Sequence, residues 1–261
     1  MKKTIVLLML AFPFFAQAQF NFEAGYMFST VKWTSFESFA TSYNVVNGID
    51  MEPFKVGNGF HFNVGYDLKV VSFGESYTKY WSNKTVNLTN GDKRNLTMSY
   101  SNWTTEVGLG FVGENNFGVF AYAGLGFATV ILNTNYEYAD GSISYHAGNN
   151  LNGVYRAIVS TRPMFAIKAQ IPVNESFCVF AKMAYQLKGD LAKDKLTDLN
   201  NGRITNDVAW ELPTDYNEYI NLGQSWSNYY EKHPDDFVKS DISGLSLIVG
   251  IKFCINSTRI D

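Results

Sequence analysis

The stretch Phe60-His61-Phe62-Asn63-Val64-Gly65-Tyr66-Asp67-Leu68-Lys69-Val70 decides the fold. Its even positions are all bulky and apolar, and its odd positions are small, polar or charged. Successive side chains of an extended chain point to opposite faces, so this pattern describes a strand with one apolar and one polar face. A helix would instead place its apolar residues three and four apart.

The same period recurs on either side. Phe20, Phe22, Ala24, Tyr26 and Phe28 alternate with residues that include Asn21, Glu23 and Ser29. Further strands are expected at Phe73 to Trp81, Asn95 to Val112, Phe117 to Leu132, Val154 to Ile171, Phe177 to Leu187 and Ile242 to Phe253, which makes eight in all. The uncharged segment Phe117 to Leu132 is shorter than the ~18 residues of a membrane helix. It also carries Gly118, Gly124 and Gly126, which weaken a helix. Pro163 removes a ladder donor from the sixth strand, so either a bulge lies there or the strand's membrane part begins after it.

The connections between these segments alternate in length. Val31 to Gly57, Ser82 to Arg94, Asn133 to Gly153 and Gly189 to Asp241 are long. Those around Val71-Ser72, Gly113 to Asn116 and Pro172 to Ser176 are short. An up-and-down antiparallel barrel with one elaborated rim has this sidedness.

Composition narrows the class. The 261 residues carry 21 Lys+Arg and 24 Asp+Glu, a net charge of -3, and 16% of them are aromatic. So many aromatics exclude a disordered chain, and two cysteines exclude a disulfide-dense mini-domain. The slightly acidic balance speaks against a nucleic-acid partner. At the N-terminus, Lys2 and Lys3, the apolar run Ile5 to Phe15 and the triplet Ala16-Gln17-Ala18 have the form of a cleavable secretory signal. Its apolar helix would rise about 16 Å, roughly half of a ~30 Å hydrocarbon core. Residues 1–18 are therefore expected to be a leader and residues 19–261 one exported domain.

Alternation alone does not say which face points outward. A secreted lipocalin-like barrel would turn the apolar face inward. Three features favour the opposite. The apolar positions are too bulky to fill a narrow interior together, and the other parity holds ion-pairable residues and glycine. Aromatics gather near strand ends, as at Tyr26, Phe28, Trp81, Trp103 and Tyr185. The expected fold is an eight-stranded antiparallel up-and-down transmembrane β-barrel with long extracellular loops.

Over Gln19 to Ile255 the chain resembles the small eight-stranded outer-membrane barrels of Gram-negative bacteria, of the OmpA-barrel, OmpX and OmpW type. The resemblance is one of pattern. Such barrels end on a final strand closing in an aromatic, and Gly250-x-x-Phe253-x-Ile255 matches in part, with Ile at the last position. The resemblance implies an outer-membrane location, contact with outer-membrane lipid and lipopolysaccharide, insertion by the barrel-assembly machinery, and no cofactor.

Chemistry is sought in two places. The lumen parity collects Glu23, Asp67, Lys69, Glu106, Arg162, Lys168, Lys182 and Lys252. Isolated charges there are costly, so they are expected to pair, with Glu23 near Lys252. The result is either a salt-bridge plug or a polar path for small solutes. Cys178 and Cys254 fall on the lumen parity of adjacent strands at one rim, and either a disulfide or two buried thiols fits. The second place is the seventh connection. Its aromatics Trp210, Tyr216, Tyr219, Trp226, Tyr229 and Tyr230 either form an exposed surface for an extracellular or envelope partner or fold back to cap the barrel. A short helix is expected within Tyr216 to Lys232.

Other signals are weak. A hydrolase needs a nucleophile beside a base. His61, His146 and His233 are expected to be satisfied or solvated, His61 in the lumen near the outer rim, and Ser144-x-His146 has no acidic partner. Asp198, Asn200, Asn201 and Gly202 miss the calcium-loop spacing. The Asn-x-Ser/Thr triplets at Asn83, Asn87, Asn95, Asn102, Asn174 and Asn256 read as chance. The expected function is non-enzymatic: an outer-membrane protein acting through its external loops. A narrow channel and a lipid-modifying enzyme are the alternatives.

Overall fold

Each alternating segment forms a strand, and the strands close into a ring. The computed structural model describes residues 19–113, 117–144, 151–188, 195–199 and 211–255; the expected leader lies outside them. The barrel strands are β1 (Gln19–Thr30), β2 (Val56–Asp67), β3 (Val71–Asn87), β4 (Lys93–Val112), β5 (Gly118–Glu137), β6 (Gly153–Pro172), β7 (Phe177–Gln186) and β8 (Ile242–Ile255). Each pairs antiparallel with its successor, and β1 pairs with β8 from Phe20↔Ile255 to Ser29↔Ser246. A closed ladder leaves no free sheet edge around the belt, which is what a lipid bilayer demands of strands.

The apolar face points outward. Leu109 is 67% exposed and Ile171 is 62% exposed, while the residues between such positions are buried. At the short-turn end Phe20 packs on Phe22 and Tyr66, Phe111 on Phe117, and Phe177 on Phe253, with ring centroids 4.8–5.9 Å apart. At the other end stand Tyr26, Phe28, Tyr77 and Trp103, with Tyr26 5.0 Å from Phe28 and Tyr77 4.9 Å from Trp103. Two aromatic girdles around a continuous apolar belt mark a membrane-spanning barrel, not a soluble one.

The wall is uneven in height. β4, β5 and β6 are each 20 residues long, against 12 for β1 and β2 and 10 for β7. The long loop expected at Ser82 to Arg94 is mostly strand, because β3 runs on to Asn87 and β4 starts at Lys93. Only residues 88–92 turn, with Gly91 at a positive φ of 88° donating its N–H to Leu88 O. The disturbance expected at Pro163 lies immediately before it. Gly126 pairs with Arg162 and Ala128 with Val159, so β6 holds one extra residue there.

The first long connection contains a helix that alternation does not reveal, α1 (Thr34–Asn47). It ends at Gly48, whose left-handed φ of 62° lets its N–H bond Asn44 O. The seventh connection carries α2 (Tyr216–Asn221) and α3 (Trp226–Lys232). Asp215 and Ser225 cap them by accepting from the N–H groups of Glu218 and Asn228.

Candidate functional site

The lumen is built in three storeys. The lowest lies at the short-turn end. There Lys252 Nζ bonds Asp67 Oδ2 and, at 2.7 Å, Gln170 Oε1, while Lys168 Nζ sits 2.6 Å from Glu23 Oε1. Glu23 and Lys252 are directly paired in register, yet their charged atoms are 3.9 Å apart and each has a shorter partner. One level up, Lys182 Nζ lies 2.5 Å from Glu106 Oε2, and Ser76 Oγ donates to Glu106 Oε1 at 2.6 Å. The Tyr122 ring separates the two levels, with Lys168 and Lys182 at 5.0 and 5.3 Å from its centroid, and its hydroxyl reaches Ser72 Oγ at 2.9 Å. Gly108 makes room for that ring, since a Cβ there would lie 2.6 Å from it.

Two of the expected lumen charges behave differently. Lys69 is not in the lumen: β2 stops at Asp67, and Lys69 sits exposed in the bend leading to β3. Arg162 is buried in the lumen but meets no carboxylate among the described residues. Its Nη1 donates to Tyr100 OH at 3.1 Å, its guanidinium lies over the Tyr100 ring, and Nε and Nη2 lack partners. Below the cap, the described lumen thus sets three carboxylates (Glu23, Asp67, Glu106) against four cations (Arg162, Lys168, Lys182, Lys252), while Arg94 lies buried higher up against Tyr43.

The middle storey is a small cavity, about 30 Å³ for the centres of water-sized molecules. Its polar lining includes Ser29, Thr78, Asn102, Thr104 and Gln186 above the Glu106–Lys182 pair. His61 faces it from mid-strand rather than from the outer rim, fully buried, with neither ring nitrogen hydrogen-bonded. That corrects the expectation of a satisfied or solvated histidine.

The top storey is an apolar cap that seals the long-loop end. Phe36, Phe39, Ala40 and Tyr43 line the buried face of α1 at i, i+3, i+4 and i+7. Trp33 stacks on Phe36 at 4.9 Å and donates its indole N–H to Lys239 O at 2.6 Å. Asp241 accepts from both the N–H and the hydroxyl of Ser35, so the segment before β8 caps the start of α1. Tyr216, Tyr219 and Tyr229 are buried against this core and Tyr230 packs partly buried on it. Burial pushes the Tyr216 and Tyr229 phenols up to about 12. Of the two open readings of these aromatics, the four tyrosines take the inward one; they form no exposed surface. Trp210 and His146 lie outside the described residues, and Trp226 opens α3.

No disulfide joins Cys178 and Cys254; both are buried and a sulfur hydrogen bond links them. Cys178 faces Lys252, and Cys254 bonds Ser176 O through its backbone, so the two are diagonal rather than opposite. Diagonal Cα atoms lie ~7–8 Å apart, beyond the usual reach of a bridge. His233 packs tilted against Tyr229, ring centroids 5.1 Å apart, with Nε2 3.7 Å from Glu218 Oε1. Among the described residues no cluster of three His, Cys, Asp or Glu is placed to hold a metal.

No protein-family model matches the chain, and no curated protein matches it. Among solved structures, the attachment invasion locus protein Ail of Yersinia pestis aligns with 92% of this chain and 99% of its own, at 9% identity and a TM-score of 0.43. Neisserial surface protein A aligns over 90% and 96%, at 10% identity and a TM-score of 0.44. The outer membrane protease OmpT of Escherichia coli aligns over 92% and 97% at a TM-score of 0.22. The fold itself rests on the closed ladders and the outward belt: the chain is a small eight-stranded barrel of outer-membrane type.

Proposed function

We propose that the chain is a non-catalytic, non-conducting outer-membrane barrel that anchors a rigid extracellular cap and wall for contact with a partner. The observation that carries this reading is the double seal of the lumen. Ion pairs fill the short-turn end, an apolar cap fills the other, and the cavity between them holds only a few waters. A solute path would need a continuous polar opening, and Trp33, Phe36 and Tyr216 occupy its place. Around the belt, outer-leaflet lipid and lipopolysaccharide are the expected neighbours, and the assembly machinery is the expected partner during insertion.

Planar-bilayer recording on the purified protein tests the reading. The expected trace is flat across applied voltages of either sign. Discrete, reproducible conductance steps would show that the cap opens, and the narrow-channel alternative would replace the scaffold.

A further inference from the structure

The lipid-facing belt has one polar seam. On β8 the outward row reads Leu245, Leu247, Val249, Ile251, Phe253, without a polar atom in any side chain. On β3 the outward row reads Phe73, Glu75, Tyr77, Lys79, Trp81. Glu75 is exposed on this face, about 13 Å along the strand from its start and one step beyond the aromatic girdle. Its strand neighbours are Phe73 and Tyr77, and across β2 it faces exposed Val64. On β4 it faces Thr105, whose hydroxyl donates to Glu75 Oε1 at 2.7 Å.

That hydrogen bond comes from a neutral hydroxyl. Among the described residues no lysine or arginine lies within ion-pair distance of Glu75. Lys79, the next same-face cation, is about 13 Å further on and sits over the Trp81 ring at 5.4 Å. The remaining seven strands place no charged side chain on the belt at a comparable depth among the described residues. A carboxyl facing hydrocarbon is costly, and ionisable groups at membrane depth normally face protein or water.

We propose that the β3–β4 face is a lateral interface for a second, different membrane-embedded protein, which presents a cationic or hydrogen-bond-donating side chain to Glu75. Aromatic Phe62, Tyr77 and Trp103 flank the carboxyl and supply the apolar rim of such a contact. A second copy of this chain is the wrong occupant. A two-fold axis along the membrane normal keeps every residue at its own depth, and among the described residues the belt offers no cation at the depth of Glu75. The proposal rests on the transmembrane reading and adds the side of the barrel that a partner uses.

The test places a photoreactive amino acid at Val107, beside Thr105, or at Ile251 on the far side, in cells carrying the full chain. Irradiation at Val107 is expected to give one discrete protein adduct, and at Ile251 lipid adducts only. Glu75→Leu should abolish the protein adduct while leaving heat-modifiable gel mobility intact. If Glu75→Leu does not insert, Glu75→Gln, which keeps an acceptor for Thr105, decides the matter. With the captured protein purified and both reconstituted in vesicles, Glu75→Gln should weaken association roughly thirtyfold or more. An adduct of twice the chain's own mass, lipid adducts alone at Val107, or a protein adduct indifferent to Glu75 would each overturn the proposal. Absence of lipid adducts at Ile251 would instead remove the transmembrane reading beneath it.

Discussion

At its short-turn end the barrel is filled by Lys252, Asp67, Glu23 and Lys168, with Glu106 and Lys182 one level above them; at its long-loop end it is filled by Trp33, Phe36, Tyr216 and Tyr229. Both fillings exclude a through path, but they fail differently. Each charge in the lower storey has surrendered its water and is tolerable only beside its partner, so removing one member strands another. Each apolar group in the cap contributes roughly in proportion to its own buried size. The lower storey should therefore break steeply and be rescued by paired changes, whereas the cap should erode by increments.

Four measurements break or sharpen that contrast. The largest effect is expected from Glu106→Leu, which leaves Lys182 buried without a carboxylate and removes the acceptor of Ser76. Unfolding in detergent should show a loss of about 3–5 kcal/mol, and adding Lys182→Met should recover most of it. An unchanged single variant would mean that these charges remain hydrated. Next, Phe36→Ala should cost about 3 kcal/mol within the cap alone. Limited proteolysis should then cut the first and seventh connections while the strand signal in circular dichroism persists; simultaneous loss of both would show cap and barrel to be one cooperative unit.

A smaller effect, about 1 kcal/mol, is expected for Asp215→Ala, which deprives α2 of its cap. Hydrogen exchange at Glu218 should accelerate without change at Tyr43 of α1. The smallest effect is acid-dependent and lies beyond both fillings, at the hairpin tips. Tyr136 OH donates to Asp92 at 2.6 Å and Ala139 N–H donates at 2.8 Å, ties that hold the Asp92 carboxyl below its usual range. A carboxyl lowered on folding stabilises the fold above its unfolded value of about 3.9 and loses that contribution as pH falls through the lowered value. The protection factor of the Ala139 amide, with the intrinsic pH dependence of exchange divided out, should be flat from neutral pH down to that range and fall only below it. Asp92→Asn should remove the dependence.

How much of this was legible in the residues differs by storey. The period of two places Glu23, Asp67, Glu106, Lys168, Lys182 and Lys252 on one face, and a narrow barrel then leaves them few partners beyond one another. The same rule misplaces Lys69, because alternation continues through Leu68 and Val70 while the ladder stops at Asp67; turn geometry ended the strand, not polarity. Arg162 lies beside the extra residue of β6, where parity no longer reports a neighbour. The cap was hidden for another reason. Phe36, Phe39, Ala40 and Tyr43 carry a clear helical spacing that ends at a left-handed glycine, but a stretch read only as a connection is not searched for a period of 3.6. Glu75 escaped notice because the Phe73 to Trp81 alternation is interrupted by the very carboxyl that makes the strand interesting.

The pairing of Phe20 with Ile255 has a kinetic consequence. That ladder joins the two barrel strands most distant in the chain, whereas the other seven join neighbours in sequence. Bringing such distant segments together carries the highest loop-closure entropy of any step in the molecule, and contacts of long sequence separation slow folding. Until β8 arrives, β1 and β7 each present a bare row of amides and carbonyls, and the aromatic cap has no anchored Lys239 and Asp241 to hold α1. Completion of the wall and ordering of the extracellular face are thus the same late event, so only a fully zipped cylinder displays its finished outer surface.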